Sequence, residues 1–326
     1  MEQLTDLKAI LHSKRANIYY LEKCRVMQKD GRVLFLTEES DQKQYWNIPI
    51  ANTTCILLGM GTSITQAAVR MLASAGVLIG FSGTGGTPLV AATEVEWLSP
   101  QSEYRPTEYL QGWLSWWFED AKRLQAAKIF QHRRIQFLRG IWSKDRDLKA
   151  HGFDAQDPKI KSAIDDFTST IAACQTTTEL LLTEAKLAKR LYKIAAQATG
   201  IDKFVRTHKN AAGANAFLNH GNYLAYGLAA STLWVLGIPH GLAVMHGKTR
   251  RGALVFDVAD LVKDILVLPW AFICAKEGAT EQEFRAQVLQ KFTQHKALDF
   301  MFYTVKMVSK FSMENLEEIE GKGNKA

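Results

Sequence analysis

Along the first hundred residues, apolar side chains come in short β-branched or aromatic runs. NIYYLE (17–22), RVLFLT (32–37), QYWNIPI (44–50) and TTCILL (53–58) are separated by Lys-Asp-Gly and by polar clusters, which predicts strands joined by turns. TSITQAAVRMLASAG (62–76) switches to helical spacing, with Thr62 or Ser63 placed to cap its start and Gly76 to stop it. A further apolar run, VLIGFSG (77–83), follows. After SPQSEYRPTEY (99–109) the texture becomes helical. Trp113, Trp116 and Trp117 form a stripe at i, i+3 and i+4, and helices are predicted over 158–174, 176–198, 214–236, 256–276, 281–295 and 297–311. The pattern therefore predicts an α+β protein, with a β-rich N-terminal domain over 1–104 and an all-helical domain over 105–326.

Composition narrows this picture. A chain of 326 residues with 47% hydrophobic and 22% charged side chains is folded rather than disordered and has length for two domains. The net charge of +7 favours a polyanionic partner. Its distribution says more. Residues 1–104 carry nine Lys/Arg against ten Asp/Glu, a net −1, and the remainder carries 31 against 23, a net +8. A nucleic-acid surface is thus expected on the second domain. The four cysteines, Cys24, Cys55, Cys174 and Cys274, form no CxxC pair, which fits a reducing cytoplasm and argues against a zinc site or disulfide framework. No signal peptide is expected. The unbroken apolar part of 224–245 ends after about 15 residues, short of the ~20 that a spanning helix needs, so it reads as a buried core helix.

Three stretches carry candidate chemistry. SGTGGTP (82–88) lacks the Gly-Lys-Ser/Thr ending of a phosphate loop and reads as a glycine-rich turn. Glu184 stands among Leu180, Leu181, Leu187 and Ala188 on a predicted helix, and a carboxylate in such a stripe needs a partner: a distant cation, or a metal. HGKTRRGALVFDVADLVKD (246–264) packs a histidine, three aspartates and several basic side chains into nineteen residues. On a helix beginning near Phe256, Asp257 and Asp260 would share a face. Capping explains Asp257 well and leaves His246 unexplained. A glutamate, a histidine and one or two aspartates together make an oxygen/nitrogen site suited to Mg²⁺ or Mn²⁺. Lys248, Arg250 and Arg251, between the histidine and the acids, could hold a phosphodiester beside it, with Arg206 and Lys209 marking another DNA path. Phosphoryl transfer on a nucleic acid is the chemistry this pattern suggests.

The order of Glu184, then LN-x-GNYLAYGL, then His246, then FD-x-AD resembles the CRISPR-associated spacer-acquisition endonuclease/integrase family. TSITQAAVRMLASAG with VLIGFSG resembles that family's N-terminal helix and strand, so the resemblance spans nearly the whole chain, and the 246–264 segment looks most like subtype I-F. The resemblance implies metal ligands at Glu184, His246 and Asp260, with Asp257 as the neighbouring acid. It also implies dimerisation through the β-rich domain, DNA as substrate, and a small ferredoxin-like Cas partner, fused in that subtype to a helicase-nuclease. Insertion of short foreign DNA into a CRISPR array by 3′-OH transesterification is the implied activity. A structure-specific repair nuclease and a non-catalytic nucleic-acid scaffold remain as alternatives.

Overall fold

Asp30 and Gly31 both take left-handed backbone (φ 50° and 72°) and close the hairpin in which Lys29 pairs with Arg32. Around it, in a computed structural model that describes residues 17–39, 42–83, 96–98, 107–201, 204–207, 211–247 and 252–311, the chain divides into two compact units, 1–105 and 106–326.

The first unit holds two four-stranded sheets. One runs β1 (Asn17–Leu21), β5 (Thr53–Leu58), β7 (Leu78–Phe81), β8 (Glu96–Leu98), parallel except for the last pair. The other runs β4 (Gln42–Ile48), β3 (Arg32–Glu39), β2 (Arg25–Lys29), β6 (Ser63–Ile64), antiparallel except for the β2–β6 pair. The expected runs at 17–22, 32–37 and 53–58 are strands, and the one at 44–50 is a strand as far as Ile48, where Pro49 leads into a 3-10 turn over Ile50–Asn52. The helix expected from 62 begins later. Ser63 and Ile64 pair with β2, and Thr65 caps α1 (Gln66–Ser74) by accepting from the Ala68 amide at 3.3 Å. Backbone pairing with β2 outcompetes a longer helix. Val26, Val33, Ile48, Ile56, Leu72 and Ile79 form the core. Beyond Gly83, the glycine-rich turn lies outside the described residues.

The second unit is helical: α2 (Glu108–Trp117), α3 (Asp120–Lys144), α4 (Arg146–Ala150), α5 (Pro158–Ala173), α6 (Thr177–Thr199), α7 (Ala214–Leu236), α8 (Ala253–Ala259), α9 (Leu268–Glu277), α10 (Glu281–Gln294) and α11 (Ala297–Ser309). Together with the strands of the first unit this gives the α+β class. α7 is the buried helix expected from its apolar run. Its Ser231 and Thr232 hydroxyls donate to the carbonyls four residues back, at 2.9 and 3.0 Å, and so bring no unpaired polar group inside. No helix among the described residues is long and apolar enough to cross a membrane.

The single helix expected over 256–276 is instead three pieces. α8 starts at Ala253 behind a left-handed Gly252 (φ 73°) and stops at Ala259. The Leu254 amide, in its first turn, donates to the His240 carbonyl at 2.9 Å. A π-helical turn over Lys263–Val267 follows, then α9, with Pro269 in its first turn. The Trp142 indole donates to the Ile265 carbonyl at 2.9 Å, satisfying one acceptor in the wide turn. α7 passes close to this turn at Gly221, where a Cβ would overlap Val267 Cγ1 and stand 3.0 Å from Phe284 Cζ. Gly221→Ala is therefore expected to destabilise the unit by ~1–3 kcal/mol, through a displaced 263–267 turn. An unchanged urea midpoint would contradict that packing.

Candidate functional site

α6 places Glu184 on its buried face, in line with Leu180, Leu187 and Leu191, as its apolar spacing requires. The carboxylate meets a cation that the sequence did not reveal. Arg134, 1% exposed on α3, donates to Glu184 Oε1 at 3.0 Å and also ion-pairs with Asp264. Burial would lower the Arg134 pKa, but the charges of Asp264 and Glu184 outweigh it and raise it. The guanidinium stays charged.

Asp257 stands in the middle of α8, not at its start, so the capping role expected for it does not hold. Its carboxylate turns back on the loop before the helix. Oδ2 accepts from the Val244 and Met245 amides at 2.7 and 3.2 Å, and Oδ1 from the His246 amide at 3.2 Å. Oδ1 also meets His246 Nδ1 at 2.7 Å. With Nδ1–H donating there, His246 presents Nε2, and Asp260 Oδ2 lies 3.9 Å from it.

Asp260 is the residue that local structure explains least. It caps the C-terminal end of α8, where the helix dipole disfavours an acid, and it is 1% exposed. It ion-pairs with Lys263, yet neither oxygen has a donor in hydrogen-bonding geometry. Lys263 supplies a counter-charge but leaves both oxygens short of hydrogen-bond donors, a costly condition for a buried carboxylate. Burial would lower the Lys263 pKa, and the charges of Asp260, Asp264 and Glu184 reverse that and raise it.

His246 is also burdened by burial, which lowers its pKa, but the Asp257 hydrogen bond and the charges of Asp260 and Asp257 prevail and raise it above 6.5. Without metal, protonated His246 contributes stability that is fully present below pH 6.5 and is lost as pH rises through the raised folded value. Asp257→Asn should flatten this part of the stability–pH profile, as read by thermal unfolding from about pH 5 to 8 in EDTA. A parallel profile in the variant would contradict the pairing.

Glu184, Lys263 and Asp264 open onto a cleft of about 1080 Å³ that runs along α6 past Lys189, Lys193 and Tyr192 to Arg206. Arg206 is held by Asn215 and Asn219, with Nη2 donating to Asn219 Oδ1 at 2.7 Å. The expected DNA contacts Lys248, Arg250, Arg251 and Lys209 lie outside the described residues. Of the expected metal ligands, the structure brings His246 and Asp260 together and holds Glu184 on Arg134. No three His, Cys, Asp or Glu side chains among the described residues converge as a metal cluster.

A β-rich unit followed by a helical one is an architecture with solved counterparts. A Cas1 protein from Thermotoga maritima superposes with TM-score 0.66 at 14% identity, covering 91% of this chain and 98% of that one. A casposase bound to integration product gives 0.64 at 14% identity, covering 94% and 91%. In sequence, the family described as CRISPR associated protein Cas1 matches residues 18–298. The CRISPR-associated endonuclease Cas1 of Pseudomonas aeruginosa is 56% identical over 314 residues, 94% of this chain and 97% of that protein. Its counterpart in Pectobacterium atrosepticum is 55% identical, covering 94% and 95%. The chain belongs to the Cas1 family of CRISPR-associated proteins.

Proposed function

We propose that this protein is a metal-dependent DNA endonuclease/integrase that inserts short foreign DNA into a CRISPR array during adaptation. Asp260 carries this reading: a buried carboxylate held only by the Lys263 ion pair, facing His246 Nε2 across 3.9 Å, has the chemistry of a cation site. Glu184, His246 and Asp260 would hold Mg²⁺ or Mn²⁺, with Glu184 exchanging its Arg134 partner for the ion. What a bound ion supplies there is Lewis-acid polarisation of a phosphate and stabilisation of charge on the leaving 3′-oxygen. The chain's own residues do the rest. Asp257 does not act as a ligand, since its oxygens are already engaged; it fixes the histidine tautomer. Lys263 and Arg206, on the cleft wall, neutralise phosphate charge beside the acids. The incoming DNA 3′-OH is the nucleophile, so the exchange of one phosphodiester for another needs no ATP.

Solved relatives support DNA and a Cas protein as partners. Solved proteins of this fold include a Cas1–DNA complex and a Cas6-RT-Cas1–Cas2 complex. DNA, a second copy joined through the β-rich unit, and a small ferredoxin-like Cas protein fused to a helicase-nuclease are the partners proposed here. A labelled short duplex mixed with a repeat-bearing plasmid tests the function. Joined product in Mg²⁺ or Mn²⁺ and none in EDTA is expected. Cleavage of branched DNA without joining would make the protein a repair nuclease, and binding without either reaction would make it a scaffold.

A further inference from the structure

A second cleft, of about 920 Å³, lies where the C-terminal half of α3 meets α4 and the start of α11. Its rim carries Arg133, Arg139, Lys144 and Arg146. The acids within reach are already spoken for. Asp145 accepts from the Asp147 and Leu148 amides at 2.9 and 3.1 Å and pairs with His295 Nε2 at 2.8 Å, and Lys291 holds Asp147 at 2.8 Å. Arg139 is paired with Asp165 at 2.6 Å. Lys291 offsets one of the Asp145 and Asp147 carboxylates, and Arg133, Lys144 and Arg146 outnumber the other, so the rim is net positive.

Helix electrostatics do not account for these charges. A basic residue at the end of α3 complements its dipole, which covers Lys144. Arg133 stands three turns earlier. Arg146 opens α4, where a cation opposes the dipole. Arg133 has a further peculiarity: its Nε is buried without an acceptor, while its guanidinium lies 5.3 Å from the Phe300 ring and 5.2 Å from that of Tyr303. Phe300 is stacked on Phe137 with centroids 4.0 Å apart, and Tyr303 is 54% exposed. Cations beside an exposed aromatic ring such as Tyr303 are the equipment that binds phosphate and nucleobase together.

We infer that this cleft is a second binding site, distinct from the acid–histidine site, for a phosphate-bearing nucleobase ligand, with Lys144 and Arg146 on the phosphate and the base reaching past Arg133 to the exposed Tyr303 ring beside the cleft. The ligand is either a free nucleotide or a stretch of single-stranded nucleic acid, and the site stands whatever reaction the other cleft performs. Photolabelling in EDTA tests it on the full chain, using 8-azido-AMP for the free nucleotide and a 5-iodouracil octanucleotide for the strand, with mapping by mass spectrometry. Label is expected within 297–309. It should fall at least five-fold in the double variant Lys144→Glu with Arg146→Glu, and partially in Arg146→Gln alone, with circular dichroism unchanged. For the octanucleotide, the slope of log affinity against log salt should become shallower by about 0.7 for each phosphate that the variant no longer neutralises. Labelling by the azido nucleotide alone assigns a nucleotide pocket, and labelling by the oligonucleotide alone assigns a strand path. No label on 297–309 from either probe, or label that persists in both variants, overturns the site.

Discussion

Arg134→Leu should destabilise the helical unit by about 3–5 kcal/mol and lower its melting temperature by roughly 6–20 °C. The guanidinium is the shared counter-ion of Glu184 and Asp264, all three side chains being less than a tenth exposed. Its removal leaves two buried carboxylates without that counter-ion, with the charge of Lys263 still acting on both. A buried pair adds little net stability when whole, because desolvation offsets attraction, but stripping away one partner exposes the full cost. Arg134→Lys should recover only part of that stability, since one ammonium on a shorter reach cannot serve two carboxylates as a planar fork does. Added Mn²⁺ should raise the melting temperature of Arg134→Leu more than that of the wild type, because it can neutralise Glu184. A melting temperature within about 2 °C of wild type, measured in EDTA, would show that the cluster is solvated and the ion pairs are idle.

Glu184→Gln, His246→Ala and Asp260→Asn should each lower strand transfer by about a thousand-fold or more while the far-ultraviolet circular dichroism stays native. Loss of a cation that supplies several kcal/mol at the reacting phosphate corresponds to such a factor. Asp257→Asn should be milder, about 10–100-fold, because Asp257 acts through His246 and the amides of 244–246 rather than on the ion. The order of effects is the informative part. If any two of the three stronger variants kept full activity, the acid–histidine cluster would have no part in the reaction. If Asp257→Asn were as severe as the others, Asp257 would have to be read as a ligand despite its engaged oxygens.

Short-range order was legible in the chain and long-range partnership was not. α7 has the bounds its periodicity predicts, 214–236, and α5, α6, α10 and α11 differ from expectation by one or two residues at their ends. These segments carry strong apolar spacing with a stop nearby, such as Gly200 or Gly237. Capping fails for Asp257 because the apolar residues Ala253 to Phe256, which read as the approach to a helix, are its first turn. Glu184 was visible as an acid needing a partner, but Arg134 was not, for it lies fifty residues away among other basic side chains of α3. The same limit hid Lys263, whose partners are set by the turn it begins. Parallel pairing of β1 with β5 and of β5 with β7 likewise depends on contacts that no local pattern encodes.

The π turn at Lys263–Val267 makes the phase of this site a matter of counting. A π turn amounts to one surplus residue in a helix, and at 3.6 residues per turn one residue is worth about 100° of rotation. The surplus lets α9 bury Trp270, Phe272 and Ile273 while Lys263 and Asp264 still face the cleft. Deleting any one residue between 263 and 267 would remove that surplus, and Asp264 and the apolar face of α9 could no longer both be satisfied. Conservative substitutions there are forgivable in a way that a change of length is not.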